Sequence, residues 1–179
     1  TYTVHGENGY TSVTTFIHTL FEPFNADKII DGILMKNKET SHKYYGMSRQ
    51  EIKTLWNNKG KQASSSGTNL HYDIECFYNG VKPTNTSKEY SYFIQFDKDH
   101  SELVPYRTEW MIYHVNLKFA GSIDYVVVNR DESISIYDWK RSANIQKNSP
   151  WNKYSITPEI DYIPDTNYWH YSLQLNMYK

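Results

Sequence analysis

Two acids and a lysine late in the chain carry the strongest chemical signal. The stretch Ala120-Gly-Ser-Ile-Asp124-Tyr-Val-Val-Val128 is followed by Ile134-Ser-Ile-Tyr-Asp138-Trp-Lys140. Residues two apart on a strand share a face, so Asp138 and Lys140 point the same way. The intervening Asn129-Arg-Asp-Glu132 suits a hairpin turn, and an antiparallel hairpin brings Asp124 beside Asp138. Two carboxylates so placed repel unless a cation lies between them, and oxygen donors suit Mg²⁺ or Mn²⁺. A lysine one pleat further on can neutralise a phosphate oxygen and hold an attacking water. Together these are the ingredients of phosphodiester hydrolysis. As a bare Asp-x-Lys string, a charged strand end is the commoner reading. Against it, Asp124 lies inside an apolar strand, where an unpaired carboxylate is expensive. Gly121 just upstream also permits a close backbone approach.

Three further groups are candidates. His71 and Glu75 are four apart and share one helical face beside Leu70 and Ile74. His71 can ligate the same metal through a ring nitrogen while Glu75 orients it or a water; the plainer reading is a surface His–Glu pair. Gln174 and Tyr178 are also helical neighbours: an amide can orient a carboxylate or touch a phosphate, and a tyrosine can stack on a base. Core and capping contacts are the plainer reading there. Glu109, on a strand with Met111 and Tyr113, either points into the site or pairs with Arg107.

The elements that must position these groups divide by period. The first hundred residues read as mainly helical. Ser12 or Thr14 caps a short helix that Pro23 stops, and Asn25 caps one carrying Ile29, Ile30, Ile33 and Leu34. Ser48 with Glu51 forms a capping box before Ile52, Leu55 and Trp56, and a separate helix is expected from about Lys61 to Phe77. The period then changes to two over Glu109–Val115, Ala120–Val128 and Ser133–Trp139. Residues 142–165, with three prolines, read as a loop or lid, and a last helix begins near Asp165. The chain stops inside that helical pattern without a cap, so the domain is expected to continue beyond it.

Composition narrows the classes. At 179 residues, with 39% apolar and 22% charged, the chain fits one globular domain and neither a disordered tail nor a coiled coil. Net charge is −1, so nucleic acid would have to meet a local patch or bound cations. The candidates are Arg107, Lys140, Arg141, Lys147 and Lys153. A lone cysteine, Cys76, excludes a disulfide framework, a multi-cysteine zinc site and a four-cysteine iron–sulfur cluster. No apolar run approaches the roughly 18–20 residues a membrane span needs, and no secretory leader is visible. The expectation is a soluble intracellular protein. The 17 tyrosines read first as wet core edges and second as a stacking surface for bases.

Taken in order, Gly67-x-x-x-His71, Glu109, Gly121-x-x-Asp124, Asp138-x-Lys140 and Gln174-x-x-x-Tyr178 resemble the PD-(D/E)XK nuclease superfamily. Within it the likeness is to the RecB-type branch, which includes CRISPR-adaptation nucleases and the mitochondrial genome maintenance exonuclease. The phrasing is similar to forms met in large DNA viruses and protist mobile elements. The resemblance covers about residues 11–179 and implies a restriction-endonuclease-like α/β fold, a mixed central sheet flanked by helices, within a single nuclease domain. Its expected parts are a helical portion 11–80, a catalytic sheet 105–140, a lid 142–165 and a Gln-x-x-x-Tyr helix 166–179. It implies Asp124 and Asp138 as metal ligands with His71 and the carbonyl of Trp139, and Lys140 as the group that positions water. Gln174 and Tyr178, with Arg141 and Arg107 nearby, would contact DNA; Glu75 and Glu109 would be accessory. The implied activity is Mg²⁺- or Mn²⁺-dependent cleavage of DNA, single-stranded or with single-stranded ends, by an exonuclease of replication, repair or recombination. A helicase or recombination partner would supply strand separation, and no membrane would be involved. An RNA endonuclease of the viral cap-snatching type and an inactive nucleic-acid-binding module are the competing readings. The missing cysteines depart from the iron–sulfur-stapled relatives, and Asp138 stands where Glu is commoner.

Overall fold

The computed structural model describes residues 2–36 and 43–179. The chain forms two compact units: Thr1–Glu22 with Leu70–Lys179, and Pro23–Asn69.

The first unit is mixed α/β and is built on strand β4, Phe119–Val128. Eight of its ten residues are apolar or Gly, and seven are buried, as expected of a strand covered on both faces. Strand β3, Pro105–His114, runs antiparallel along one edge of β4. On the opposite edge β2, Glu7–Ser12, pairs parallel at Phe119–Ala120. On that same edge β5, Ile134–Tyr137, pairs antiparallel at Tyr125–Val128. Residues 121–124 thus lie between two partners on that edge. Strand β1, Tyr2–Val4, completes a five-stranded mixed sheet by pairing with β2.

Helices cover this sheet. Helix α1, Val13–Thr19, is capped by Ser12, whose Oγ accepts from Thr15 N at 3.0 Å. Its Val13 and Ile17 join Phe21 and Ile163 in a core against which Trp169, Leu173 and Met177 of α5, Asn167–Tyr178, are packed. A second core joins Leu70 and Ile74, near the end of α3, Arg49–Tyr78, to Tyr90 and Phe93 of α4, Lys88–Asp99. Trp139 packs against this second core.

In the other unit, Asn25 Oδ1 accepts from Lys28 N at 2.9 Å and so caps α2, Ala26–Lys36. Ser48 and Glu51 form the expected capping box: Glu51 Oε2 accepts from Ser48 N and Oγ, both at 2.7 Å. Lys53 meets Asp27 at 3.0 Å, and Arg49 pairs with Asp31. Ile30 and Ile52 are fully buried.

Three features differ from the sequence expectation. The chain opens with a β-hairpin before α1, turned through His5 and Gly6 at φ +50° and +81°. Two positive φ values match the type I′ turn that suits a twisted hairpin, and Gly6 makes one of them easy. The helices expected near 51 and 61 are one 30-residue helix, α3, Arg49–Tyr78. Gly60 and Gly67 cost only about 1 kcal/mol each there, and Lys, Gln and Ala between them favour helix. From Ser155 onward the stretch read as a lid is tied down. Ser155 Oγ donates to the carbonyl of Leu20 at 2.7 Å, and Ile163 is buried in the α1 core.

Gly121 is required by a close approach. A Cβ added there would lie 2.6 Å from Cε1 of Tyr178, a ring held between β4 and the end of α5. Gly121→Ala is expected to lose about 1–3 kcal/mol of stability, the usual cost of overpacking. A double-mutant cycle with Tyr178→Ala, read by chemical denaturation, should show that most of this loss disappears once the ring is gone.

Candidate metal centre

Three donors from three elements converge. His71 Nδ1 on α3 lies 3.5 Å from Glu109 Oε1 on β3 and 3.6 Å from Asp124 Oδ2 on β4. Among the described residues these form one group whose donor atoms all lie within 4.8 Å of one another, and that group could hold a metal ion.

Local backbone geometry places each donor. The β3–β4 ladder pairs Thr108 with Tyr125 and Trp110 with Ile123, which sets Glu109 opposite Asp124. Glu109 has φ +46°, a left-handed conformation that non-glycine residues adopt at a cost. Consecutive Thr108 and Glu109 are both half-buried, so the alternation of β3 breaks at this residue. Ser122 Oγ donates to Glu109 Oε2 at 3.0 Å and holds the carboxylate in place. On the other side, Asp124 Oδ2 accepts from Trp139 N at 2.7 Å.

The imidazole is oriented as a metal ligand must be. Nε2 of His71 lies 2.9 Å from the carbonyl oxygen of Trp139, which can only accept, so Nε2 carries a hydrogen. In the neutral ring the lone pair is then on Nδ1, facing both carboxylates. A backbone carbonyl fixing the tautomer of a ligating histidine is the usual outer-shell arrangement. One nitrogen and two carboxylate groups suit a divalent cation of the Mg²⁺, Mn²⁺ or Zn²⁺ kind.

Asp138 is brought close but stands outside this group. Its side chain is 5% exposed and pairs with Lys140 through Oδ2. Its Oδ1 accepts from Gln174 Nε2 at 2.9 Å, and the second Nε2 hydrogen goes to Tyr178 OH at 3.1 Å. Gln174 is itself buried, so the amide is committed to these two partners. Lys140 also lies 5.3 Å from the centre of the Tyr171 ring. The carbonyl of Trp139, implied by the resemblance as a ligand, here accepts from His71.

Other candidates lie further out. Glu75 lines a cavity of about 250 Å³ with Asn79, Arg107 and Thr108, apart from the three donors. Glu109 faces His71 and not Arg107, whose guanidinium lies over the Tyr106 ring. Arg141 pairs with Glu89 at 2.7 Å and Lys153 with Glu22 at 2.8 Å, while Lys147 lies over the Tyr168 ring. Ser122 was invisible to sequence reasoning, because a lone serine in a strand carries no pattern.

Electrostatics describe a site short of positive charge. Burial, reinforced by the charge of Asp138, pushes Asp124 from 3.8 up to about 6. The hydrogen bond with Glu109 raises His71, and the same contact lowers Glu109. Both raised groups favour the fold at low pH, and that favour fades as pH rises through their folded values. The metal-free protein should therefore lose melting temperature as pH rises from about 4 through 6, with the His71 contribution lost above 6.5. A cation held by these three donors would take the place of those protons. Mn²⁺ affinity, measured by calorimetry, is expected to rise at least about tenfold between pH 5 and pH 7.

No helix among the described residues is long and apolar enough to cross a membrane. No protein-family model matches the chain, and neither a curated protein nor a solved structure matches it.

Proposed function

We propose that the chain is a divalent-metal-dependent nuclease of the PD-(D/E)XK kind that hydrolyses phosphodiester bonds of DNA. The observation that carries this reading is the convergence of His71 Nδ1, Glu109 and Asp124, with the Trp139 backbone holding His71 Nε2 and Asp124, beside the Asp138–Lys140 pair. His71, Glu109 and Asp124 would hold Mg²⁺ or Mn²⁺. The cation supplies Lewis acidity toward a water and a phosphate oxygen. Lys140 holds an ammonium where negative charge develops on the attacked phosphate, and Asp138 with Gln174 fixes the direction of that ammonium. Asp124, freed of its proton, balances the cation. An inactive binding module has no use for a strained glutamate, a buried aspartate and an oriented imidazole brought to one point. The Gln174–Tyr178 pair, in contact with Asp138, favours the DNA branch over an RNA endonuclease of the cap-snatching type.

The test is a time course on end-labelled single and double strands, with Mn²⁺ and with EDTA, beside a matched RNA. Mn²⁺-dependent loss of DNA with slower loss of RNA is the expected result. Equal digestion in EDTA would exclude the mechanism, and faster RNA cleavage would transfer the same site to ribonucleic acid.

A further inference from the structure

A cavity of about 550 Å³ opens beside the proposed site, and no part of the mechanism above uses it. Its wall is aromatic: Tyr92, Phe93 and Phe96 come from α4, and Trp139 from the chain after β5. Phe96 and Trp139 meet edge to face at 5.1 Å, so these rings are fixed to one another, not loosely exposed. Tyr92 is 60% exposed, with the Lys88 ammonium 5.5 Å from its ring centre. The lining holds three cations, Lys88, Lys140 and Arg141, against one acid, Glu89.

The cavity is continuous with the site through single residues. Trp139 lines it with its ring, while its backbone N–H holds Asp124 and its carbonyl holds His71. Lys140 lines it as well and pairs with Asp138. A group entering the cavity therefore lies against the two residues that hold His71, Asp124 and Asp138. Trp139 Nε1 is also buried without a hydrogen-bond partner among the described residues, a donor that an adjoining acceptor would satisfy.

The geometry points to a binding site for one unpaired nucleobase of the substrate strand, next to the phosphate being cut. This rests on the nuclease reading for the identity of the strand. A flat ring of any base can stack on an aromatic side chain, and flanking cations follow the backbone. A paired base is held in its stack and cannot enter without being extruded. The cavity therefore selects single-stranded or locally melted substrate, a requirement that the metal donors alone do not impose.

The test is fluorescence anisotropy in metal-free buffer, with a labelled twelve-nucleotide thymidine strand and an abasic strand of equal length and charge. Stacking on an aromatic side chain predicts at least about tenfold tighter binding of the base-bearing strand. Tyr92→Ala, a surface change, should shrink that preference to about twofold or less, and Tyr92→Phe should keep it. Equal affinity for the two strands, or a full preference retained by Tyr92→Ala, would overturn the inference. If Tyr92→Ala fails to fold, the wild-type comparison alone decides. A base preference without Mn²⁺-dependent cleavage would sink the nuclease reading and keep the pocket; cleavage without a base preference would do the reverse.

Discussion

Lys140→Ala is expected to slow Mn²⁺-dependent strand cleavage by at least about 10²-fold while leaving Mn²⁺ binding intact. The ammonium of Lys140 is not among the three converging donors, so its loss leaves His71, Glu109 and Asp124 in place. It is, however, the partner of Asp138, whose side chain is 5% exposed. Removing a cation from a buried pair destabilises, so some loss of melting temperature should accompany the loss of rate. Lys140→Arg separates the two effects: it keeps a cation beside Asp138 but replaces a compact point charge with a planar fork. It should recover most of the stability and little of the rate. If Lys140→Arg and Lys140→Ala instead cleave like wild type, Lys140 serves only to cover Asp138.

Asp124→Asn carries opposite signs for stability and activity. The amide retains an oxygen to accept from Trp139 N but removes a buried charge that sits beside Asp138. Holding that acid ionised above pH 6, against an ordinary value of 3.8, costs of order 3 kcal/mol, with the favourable charge of His71 already counted. Without metal, the variant should be more stable than wild type by about 1–3 kcal/mol at pH 7 and no more stable at pH 4. With Mn²⁺ the order should reverse, because the variant gains no metal-induced rise in melting temperature. Cleavage should fall by at least about 10³-fold, as expected when the charge that binds the cation is removed. A variant less stable than wild type in EDTA at pH 7 would show that Asp124 serves as a structural hydrogen-bond acceptor and not as a held-back ligand.

What could be read from the sequence followed from short-range rules. The approach of Asp124 and Asp138 needed only a hairpin, and the ladder does pair Tyr125 with Tyr137, one step away. The five-residue connection, 129–133, is closed by Asn129 N donating to Ser133 O at 2.8 Å. Gly121 inside an apolar strand permits a close approach, and the ring of Tyr178 lies over it. The capping box at Ser48 and the cap at Asn25 form as their spacing implied.

What could not be read depended on backbone states or distant packing. The turn of Glu109 into the site rests on one φ of +46°, which a Thr-Glu-Trp triplet does not announce. Strand β2 reads Glu-Asn-Gly-Tyr-Thr-Ser, too polar to look like a sheet member, and its parallel pairing with β4 is a tertiary event. The single helix α3 crosses a polar stretch with no apolar stripe to signal continuity. Likewise Tyr92, Phe93 and Phe96 matter because α4 lies beside Trp139, and no spacing in either segment encodes that neighbour.

The most direct measurement is pulsed electron paramagnetic resonance of Mn²⁺ bound to the full chain, read for coupling to ¹⁴N. A cation held by His71 Nδ1 with two carboxylates must show one directly coordinated nitrogen, absent in His71→Ala and weakened along with affinity in Glu109→Gln. Mn²⁺ bound with oxygen ligands alone, or bound equally well by all three proteins, would contradict the site.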